Sequence, residues 1–397
     1  MNSSKLLQCF SAATLIFSLP SISFAQHYTQ TNLVSNVPVT PAAAVTDPNL
    51  LNAWGLVHSP TSPWWISNNA GGTSTLYDTS GLNPPNPANQ TPTPTLEPVV
   101  IVPLNAPGGT TGNGVVIPNA PGLSPPGTPT SVLFNGNPND FLVSAGMPAV
   151  FIWVTEDGTV QAWNPMVNAK SAIIMVDNSQ KPTKQNGAVY KGGTIVQISG
   201  MAFLLAANFR SGAIDVFDPT FAQVTISPGA FVDSQIPAGF APFNVQGIGQ
   251  NVYVTYAQQD AAKHDPVSGA GLGFVTVFSS DGKVLARLQN GNWFNAPWGL
   301  TLTTAGFGTF SHTLLVGNFL GGNIAAFNPL TNQFIGDVQR PDGSTLTIDG
   351  LWSLVFGGGG MSGPGDTLFF TAGPNNETNG LFGTLTPVAA ELNAVVD

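Results

Sequence analysis

The residues whose types and spacing could perform chemistry lie together in one short segment, residues 257–270. This segment contains Asp260, Lys263, His264 and Asp265, in a chain of which charged residues make up only 8%. A histidine beside a carboxylate can transfer protons or bind a metal ion. A solvent-exposed loop could contain the same residues, so the sequence leaves both interpretations open. We take His264, Asp265 and Lys263 as candidates for catalysis and Asp260 as a candidate for binding.

No stronger catalytic signature is present in the chain. It lacks the GxSxG, HExxH, Walker A and EF-hand motifs. Cys9 is the only cysteine and lies in an N-terminal segment that we expect to be removed, which leaves no thiol nucleophile. Glu156 is the remaining catalytic candidate, and together with asparagines it could hold Ca²⁺ in a central channel. A cage of mostly neutral amides would bind that ion weakly, and the sequence predicts no other cofactor.

A short unit that recurs six times must position these residues. Each copy begins with glycine and alternates small or β-branched with apolar residues; the copies start at Gly72, Gly158, Gly212, Gly273, Gly322 and Gly380. Most copies are about 50 to 60 residues apart, a period typical of a β-propeller built from short strands. We predict an all-β, six-bladed β-propeller of four-stranded antiparallel blades. Residues 30–35 also have the pattern of a strand, and we expect them to pair with the last blade and close the ring.

In a propeller, the segments that lead into the first strands and those that follow the second strands lie on one face. The first-strand positions are Trp54, Thr130, Lys191, Phe243, Trp298 and Trp352, and the second strands end at Asn68, Glu156, Asn208 and Asn318. Residues 257–270 also follow a second strand and should overhang this face. We predict a channel mouth with aromatic walls, one lysine, an amide-rich rim and a charged flap. Two alternatives stay open: the tryptophans only seal the axis, and the asparagines only cap turns.

The first 25 residues have the pattern of a signal peptide. Lys5 precedes a short apolar stretch at 6–19, and small residues at 23 and 25 predict cleavage before Gln26. The apolar stretch is too short to span a bilayer, so we expect no integral membrane segment in the mature chain and a secreted or periplasmic protein. Residues 26–397 would then form a single propeller domain with insertions at 81–128, 257–270 and 357–365. We regard the first and third insertions as tolerated loops.

Composition excludes several kinds of partner. The formal net charge is −10, which disfavours nucleic acid because phosphates require a basic surface. The same charge disfavours an anionic membrane surface. The chain has 45 glycines and 34 prolines, but its 42% hydrophobic and 10% aromatic content suffices for a large core and argues against disorder. We expect a monomer whose partner is a small molecule, a carbohydrate or a protein ligand.

Several strings, taken in order, resemble a family of exported bacterial proteins of unassigned activity. They are NAWGL at 52–56, SNNAGGTSTLYDTSG at 67–81, TEDGTVQAWNP at 155–165, NFRSGAIDVFDP at 208–219 and KHD at 263–265. The resemblance implies export and a six-bladed propeller similar to the NHL type. The KHD stretch belongs to the family pattern, which supports Asp260, Lys263, His264 and Asp265 as site residues. The family implies no established reaction.

Two classes of function fit these observations. In the first, the protein binds a small molecule, sugar or peptide at the aromatic channel mouth. In the second, it is a hydrolase or lactonase in which a metal ion or His264 acts on a bound ester. The first strands offer no ring of carboxylates, so the sequence favours binding over catalysis. If Trp298 binds the ligand, truncating it should affect binding more than thermal stability.

Overall fold

A computed structural model describes residues 27–82, 100–101, 104–105, 111–112, 114–123 and 126–392. The predicted signal peptide, its cleavage position before Gln26 and much of the insertion at 81–128 lie outside these residues. Helical structure in the described part is limited to short segments: Asn69–Gly71, Lys184–Asn186, Gly308–Phe310 and Gly360–Ser362 are 3₁₀ turns, and Ala389–Leu392 is α-helical. None of the described helices is long and apolar enough to cross a membrane.

Six antiparallel sheets follow one another along the chain and form the blades of a propeller. Their strands, listed from the axis outward, are as follows: blade 1, Ala53–Val57, Trp64–Asn68, Thr73–Asp78 and Val100–Ile101, with Val115–Val116 also paired to the third strand; blade 2, Pro129–Phe134, Phe151–Thr155, Thr159–Trp163 and Ile173–Asp177; blade 3, Tyr190–Ile198, Met201–Asn208, Ala213–Phe217 and Gln223–Val224; blade 4, Phe240–Ile248, Asn251–Gln258, Gly273–Ser279 and Val284–Arg287; blade 5, Pro297–Leu302, Leu314–Asn318, Ile324–Phe327 and Phe334–Asp337; blade 6, Leu351–Phe356, Leu368–Ala372, Leu381–Pro387 and Tyr28–Ser35. Short pairs lie outside this pattern: Leu104–Asn105 with Thr111–Gly112, and Leu142–Ser144 with Met147–Pro148.

The predicted fold class is confirmed. The recurring unit forms the third strand of every blade, and its first glycine lies at or just before the start of that strand. At Gly158 and Gly212 this turn has φ of 83° and 74°, a conformation that favours glycine. The alternating pattern gives each sheet two apolar faces, and neighbouring blades pack face to face. Between blades 2 and 3, for example, Ile152 and Val154 share one buried cluster with Leu204.

The N-terminal strand lies in the last blade. Tyr28–Ser35 pairs antiparallel with Leu381–Pro387, and Val45–Thr46 adds a short parallel strand outside it. The predicted pairing partner of residues 30–35 is thus the one found, and the contribution of this pairing to holding the ring closed stays a prediction.

The first strands of consecutive blades contact one another around the axis, including those of blades 6 and 1. This close approach explains two glycines in the WGL strings. A Cβ on Gly55 would lie 2.5 Å from the carbonyl oxygen of Thr130 in blade 2. A Cβ on Gly299 would lie 2.4 Å from the carbonyl oxygen of Trp352 in blade 6. Both distances are too short for any larger residue, so glycine sets how tightly the ring packs here.

Candidate functional site

Each blade has an irregularity in its first strand at the position that the sequence analysis identified. The register between first and second strands shifts at six places, which contain Trp54, Thr130, Lys191, Phe243, Trp298 and Trp352. A β-bulge leaves a residue outside the regular ladder and can turn its side chain in a new direction. The repeated bulge therefore brings side chains from all six blades to one end of the axis.

The four aromatic residues among these first-strand residues form a closed floor with two phenylalanines that follow the second strands. The residues of this aromatic floor are Trp54, Phe209, Phe243, Trp298, Phe319 and Trp352. The Trp352 ring lies 3.8 Å from that of Trp54 and is stacked at 3.8 Å on Phe319.

The sequence analysis predicted an open aromatic mouth, and on this point the structure differs. Phe243 and Trp352 are fully buried, and Trp298 is only 4% exposed. Phe209 and Phe319, which the sequence analysis did not consider, pack against Phe243 and Trp352 and complete the layer. Truncating Trp298 would therefore test packing as much as binding. A ligand-binding role for the rings remains a prediction that needs the floor to be approached from above.

Lys191 is the charged centre of the site. Its side chain is 1% exposed, and its Nζ donates to Oε1 of Glu156 and, over 2.9 Å, to Oδ1 of Asp265. The ammonium lies over the Trp54 ring, 5.3 Å from the ring centroid, within the range of a cation–π interaction. Burial opposes the charge on Lys191, but the two carboxylates outweigh this effect and raise its pKa above the usual value. Lys191 is therefore a permanently charged group and not a nucleophilic amine.

Polar side chains continue from Lys191 in both directions around the axis. Asn69 donates to Oε2 of Glu156 over 2.7 Å, and Asn52 donates to Oδ1 of Asn69 over 3.3 Å. Asn52 also contacts the Glu377 carboxyl group and accepts a hydrogen bond from the indole N–H of Trp352. We call this set the polar arc; in order around the axis it comprises Glu377, Asn52, Asn69, Glu156, Lys191, Asp265 and His264. It draws on blades 6, 1, 2, 3 and 4, and it leaves the side of blade 5 to the apolar residues Phe319 and Leu320.

The loop 257–270 supplies the last two members of the arc. Asp260 Oδ1 accepts the backbone N–H groups of His264 and Asp265, at 2.8 and 3.3 Å, which holds the loop in its turn. This turn sets His264 Nδ1 3.0 Å from Oδ1 of Asp265. The hydrogen bond from His264, followed by the charge of Lys191, holds the pKa of Asp265 well below its usual range. Asp260 thus stabilises the loop. Lys263 is exposed, with φ of 55°, and lies outside the arc.

Glu377 is the member of the arc that the sequence analysis missed. It follows the second strand of blade 6, the same topological position as Glu156 in blade 2. Burial, together with the charges of Glu156 and Asp265, raises the pKa of Glu377 to about 7, although Lys191 and Asn52 act in the opposite direction. Because blade 6 ends its second strand at Ala372, no polar residue at the strand end indicated this site. The loop that follows, residues 373–380, was the available signal.

The asparagines at the other strand ends cap turns. Asn208 accepts the N–H groups of Val189 and Ser211, and Asn318 accepts that of Asn295. Asn68 donates to the hydroxyls of Thr73 and Thr75. The alternative that these three residues hold the local structure therefore has direct support, and none of their hydrogen bonds joins the polar arc.

Three members of the arc could together ligate a metal ion. The donor atoms of Glu156, His264 and Asp265 all lie within 4.8 Å of one another, and two carboxylates with an imidazole suit a divalent transition metal. The ammonium of Lys191 already contacts both carboxylates. An incoming metal ion would have to compete with this internal cation for the same oxygens, which weakens the fit.

An axial cavity of about 320 Å³ extends from Trp298 along the first strands. Its walls come from all six blades and combine apolar residues, for example Leu56, Val132, Ile195, Leu300 and Leu354, with polar ones such as Asn244 and Gln246 of blade 4. The aromatic floor thus has the polar arc at one side and this cavity at the other.

The comparisons with known proteins support the fold and give no activity. No family model matches the chain. One relative, an uncharacterised protein of Acanthamoeba polyphaga mimivirus, is 31% identical over 261 residues, which cover 64% of this chain but only 46% of that protein. A second uncharacterised mimivirus protein is 28% identical over 365 residues, 89% of this chain and 78% of its own length. These relatives are viral, so membership in a bacterial family stays a prediction.

Among solved structures, a protein of unknown function from Bacteroides thetaiotaomicron superposes with a TM-score of 0.50. It covers 92% of this chain and 76% of its own, with 9% sequence identity. At this identity the likeness concerns the fold alone. The chain is a six-bladed β-propeller, and any activity must be argued from the polar arc.

Proposed function

We propose that this protein binds a small polar molecule at the polar arc, on the face where the first strands begin. The observation that carries the proposal is the ion-pair network of the buried Lys191 with Glu156, which is 11% exposed, and with the exposed Asp265, assembled from three blades at the end of the axis. Removing such charges from water costs several kcal/mol per ion, and a hydrophobic packing of the same volume is often as stable. Ligand binding supplies a reason for this network that packing does not.

The geometry of the arc supports binding of a molecule between a polar wall and an apolar wall. Carboxylate and amide groups lie on one side, and Phe319 and Leu320 lie on the blade 5 side. His264 is partly exposed at the edge of the arc, so its free Nε2 can reach a bound molecule. A site with a few convergent polar groups beside aromatic surface is typical of small-molecule pockets.

The proposal is tested by screening a library of small metabolites by ligand-observed NMR, with the His264→Ala variant alongside the native protein. The exposed Lys283, which pairs with Asp281 on blade 4, provides the matched control Lys283→Ala. We expect compounds whose binding is lost in His264→Ala and kept in Lys283→Ala. If all bound compounds bind both variants equally, or if none binds, the arc is not a ligand site.

Acid–base catalysis on the bound molecule is the second candidate, and two groups favour it. Asp265 holds His264 through Nδ1, which orients the ring as in many catalytic bases, and Glu377 has a pKa of about 7, close to that of an efficient proton donor. A panel of esters and lactones tests this candidate. Turnover with a bell-shaped pH profile that loses one limb in Glu377→Gln would support it, and turnover unchanged in that variant would exclude Glu377 from the reaction.

We propose further that the protein is exported to the periplasm or the medium, on the basis of the N-terminal 25 residues. Expression of the full chain followed by N-terminal sequencing of the product tests this point. A mature protein that begins at Gln26 is expected, and an intact N-terminus on a cytoplasmic product would contradict export.

A further inference from the structure

We propose that the molecule bound at the polar arc is an organic cation, a protonated amine that also carries an oxygen acceptor. This inference rests on the proposed function, since it names the chemical class of the ligand for the same site. It follows from three features of the arc: its charge balance, the engagement of its lysine and a buried indole N–H.

The charge balance of the arc is negative. Three carboxyl groups, those of Glu156, Asp265 and Glu377, share one buried ammonium, that of Lys191. Lys191 can neutralise only one of them. The effect appears at Glu377, where the charges of Glu156 and Asp265 add to burial and raise its pKa to about 7. A cationic ligand would restore the balance, whereas an anion would add to the excess.

The lysine is not free to attract an anion. Two of the three ammonium protons of Lys191 are donated to Glu156 and Asp265, and the ammonium lies over the face of Trp54. With a side chain only 1% exposed, Lys191 has no direction of approach left in which a carboxylate or phosphate could form an ion pair without displacing these partners. It acts as an internal counter-ion to Glu156 and Asp265.

We expect the ligand to carry an oxygen atom that accepts a hydrogen bond from the indole N–H of Trp54. This group is buried, and no hydrogen-bond acceptor for it is found among the described residues. An unpaired buried donor costs about 1 to 3 kcal/mol. The ring to which it belongs is the one beneath the Lys191 ammonium, at the centre of the site. A hydroxyl or carbonyl oxygen near the amine would satisfy this donor.

A metal ion would compensate the excess negative charge of the arc less well than a protonated amine would. Its ligands would be Glu156, His264 and Asp265, and two of these are already bonded to Lys191. A protonated amine needs no displacement of Lys191, because it can donate hydrogen bonds to the carboxylate oxygens that Lys191 leaves free. A metal also provides no acceptor for the Trp54 N–H.

The experiment uses probes that share a skeleton and differ in charge: ethanolamine, ethylene glycol and glycolate. Each is titrated into the protein by ligand-observed NMR at pH 7, in a buffer without a primary amine, with Ca²⁺ and Zn²⁺ as further probes. We expect ethanolamine to bind at least tenfold more tightly than ethylene glycol and glycolate to bind most weakly. Tighter binding of glycolate, of ethylene glycol or of either metal ion would overturn the inference.

Two variants give opposite predictions for a cation and an anion. Glu377→Gln removes negative charge and should weaken ethanolamine binding by roughly tenfold. Lys191→Met removes positive charge and should leave ethanolamine binding equal or stronger, whereas an anion would lose its site. If Lys191→Met does not fold, Glu377→Gln alone decides, and unchanged affinity there would refute the inference.

Proton release on ligand binding distinguishes an arc that binds a cation from an arc with only a structural role. The groups that face Glu377 are Glu156, Lys191, Asp265 and Asn52. At pH 7 Glu377 is about half protonated, so a bound cation should expel about half a proton per ligand. Calorimetry in two buffers of different ionisation enthalpy measures this number, and Glu377→Gln should abolish it. If neutral or anionic library compounds bind through His264 while ethanolamine does not bind, the ligand class is wrong and the proposed function stands. If no compound binds, the ligand class and the proposed function are both wrong.

Discussion

Glu377→Gln should stabilise the protein at high pH and leave its stability unchanged at low pH. Glutamine has the shape of the protonated glutamic acid and keeps a side-chain oxygen for the amide of Asn52. It cannot ionise, so it removes only the cost of burying a negative charge and of placing it beside Glu156 and Asp265. The same substitution on an exposed side chain would have no such effect.

The magnitude follows from the change in pKa. The pKa of Glu377 rises from 4.5 to about 7 in the folded protein, mainly through burial. Each tenfold change in a protonation constant corresponds to about 1.4 kcal/mol, so ionised Glu377 costs the folded state ~3 kcal/mol. Below pH 4.5 the carboxyl group is protonated in both states and costs nothing. Between pH 4.5 and 7 the folded state binds the proton more tightly, so stability falls as the pH rises, and above pH 7 the full cost applies.

Thermal unfolding of both proteins across this pH range measures the effect. Unfolding entropy is about 2 cal/mol/K per residue, so ~3 kcal/mol corresponds to roughly 4 °C for a chain of this size. The Tm of Glu377→Gln should therefore equal that of the native protein at pH 4.5 and exceed it by about 4 °C at pH 8. The control is Asp281→Asn, since hydrogen bonds from Ser279 and Lys283 lower the pKa of that exposed aspartate. A difference in Tm that does not vary with pH would refute the reasoning.

Two further predictions concern the ring. Deleting residues 28–36 removes the outer strand of blade 6 and exposes the apolar surface that Leu33 and Val34 bury, so the Tm should fall sharply; an unchanged melting curve would show that the ring does not depend on this strand. Gly55→Ala places a Cβ 2.5 Å from the carbonyl oxygen of Thr130, and overpacking of this kind costs about 1 to 3 kcal/mol. Urea denaturation should show that loss, and equal midpoints would mean that the first strands can separate at no cost.

The fold was predictable because its signals are local and repeated. A glycine at or before the start of the strand, an alternating pattern and a polar residue after the apolar one occur in each of the six repeats, and together these features leave few arrangements for the sheets. That Lys191, Glu156 and Asp265 lie on one face was predictable as well, although these residues are far apart in the sequence. Topology places first-strand and second-strand loops on the same face, but the contacts among the three side chains are visible only in the structure.

The details of the site were less predictable, for two physical reasons. The closed aromatic floor depends on Phe209 and Phe319, whose packing against Phe243 and Trp352 is a tertiary contact with no periodic signal. Glu377 was missed because its loop has an unusual backbone rather than a recognisable motif. Asn375, Asn376 and Glu377 all have positive φ, which no local sequence rule anticipates for three consecutive residues without glycine. This backbone brings Glu377 into the polar arc.

The polar arc is best understood against the composition of the rest of the protein. Only 8% of the chain is charged, and most polar residues buried elsewhere in the described core are threonine, serine and asparagine, although Asp47 and Asp233 are buried as well. Asp233 is paired with Arg287, which is partly exposed, whereas Lys191 is itself buried beside Glu156 at the end of the axis. Because the desolvation cost of such a pair offsets most of the attraction, packing alone gives little reason for it. Glu377 makes the argument stronger, since its ionisation at neutral pH destabilises the folded state. A group that costs stability, in a site assembled from five blades, is what a binding site for a positively charged ligand requires, because the ligand recovers that cost when it binds.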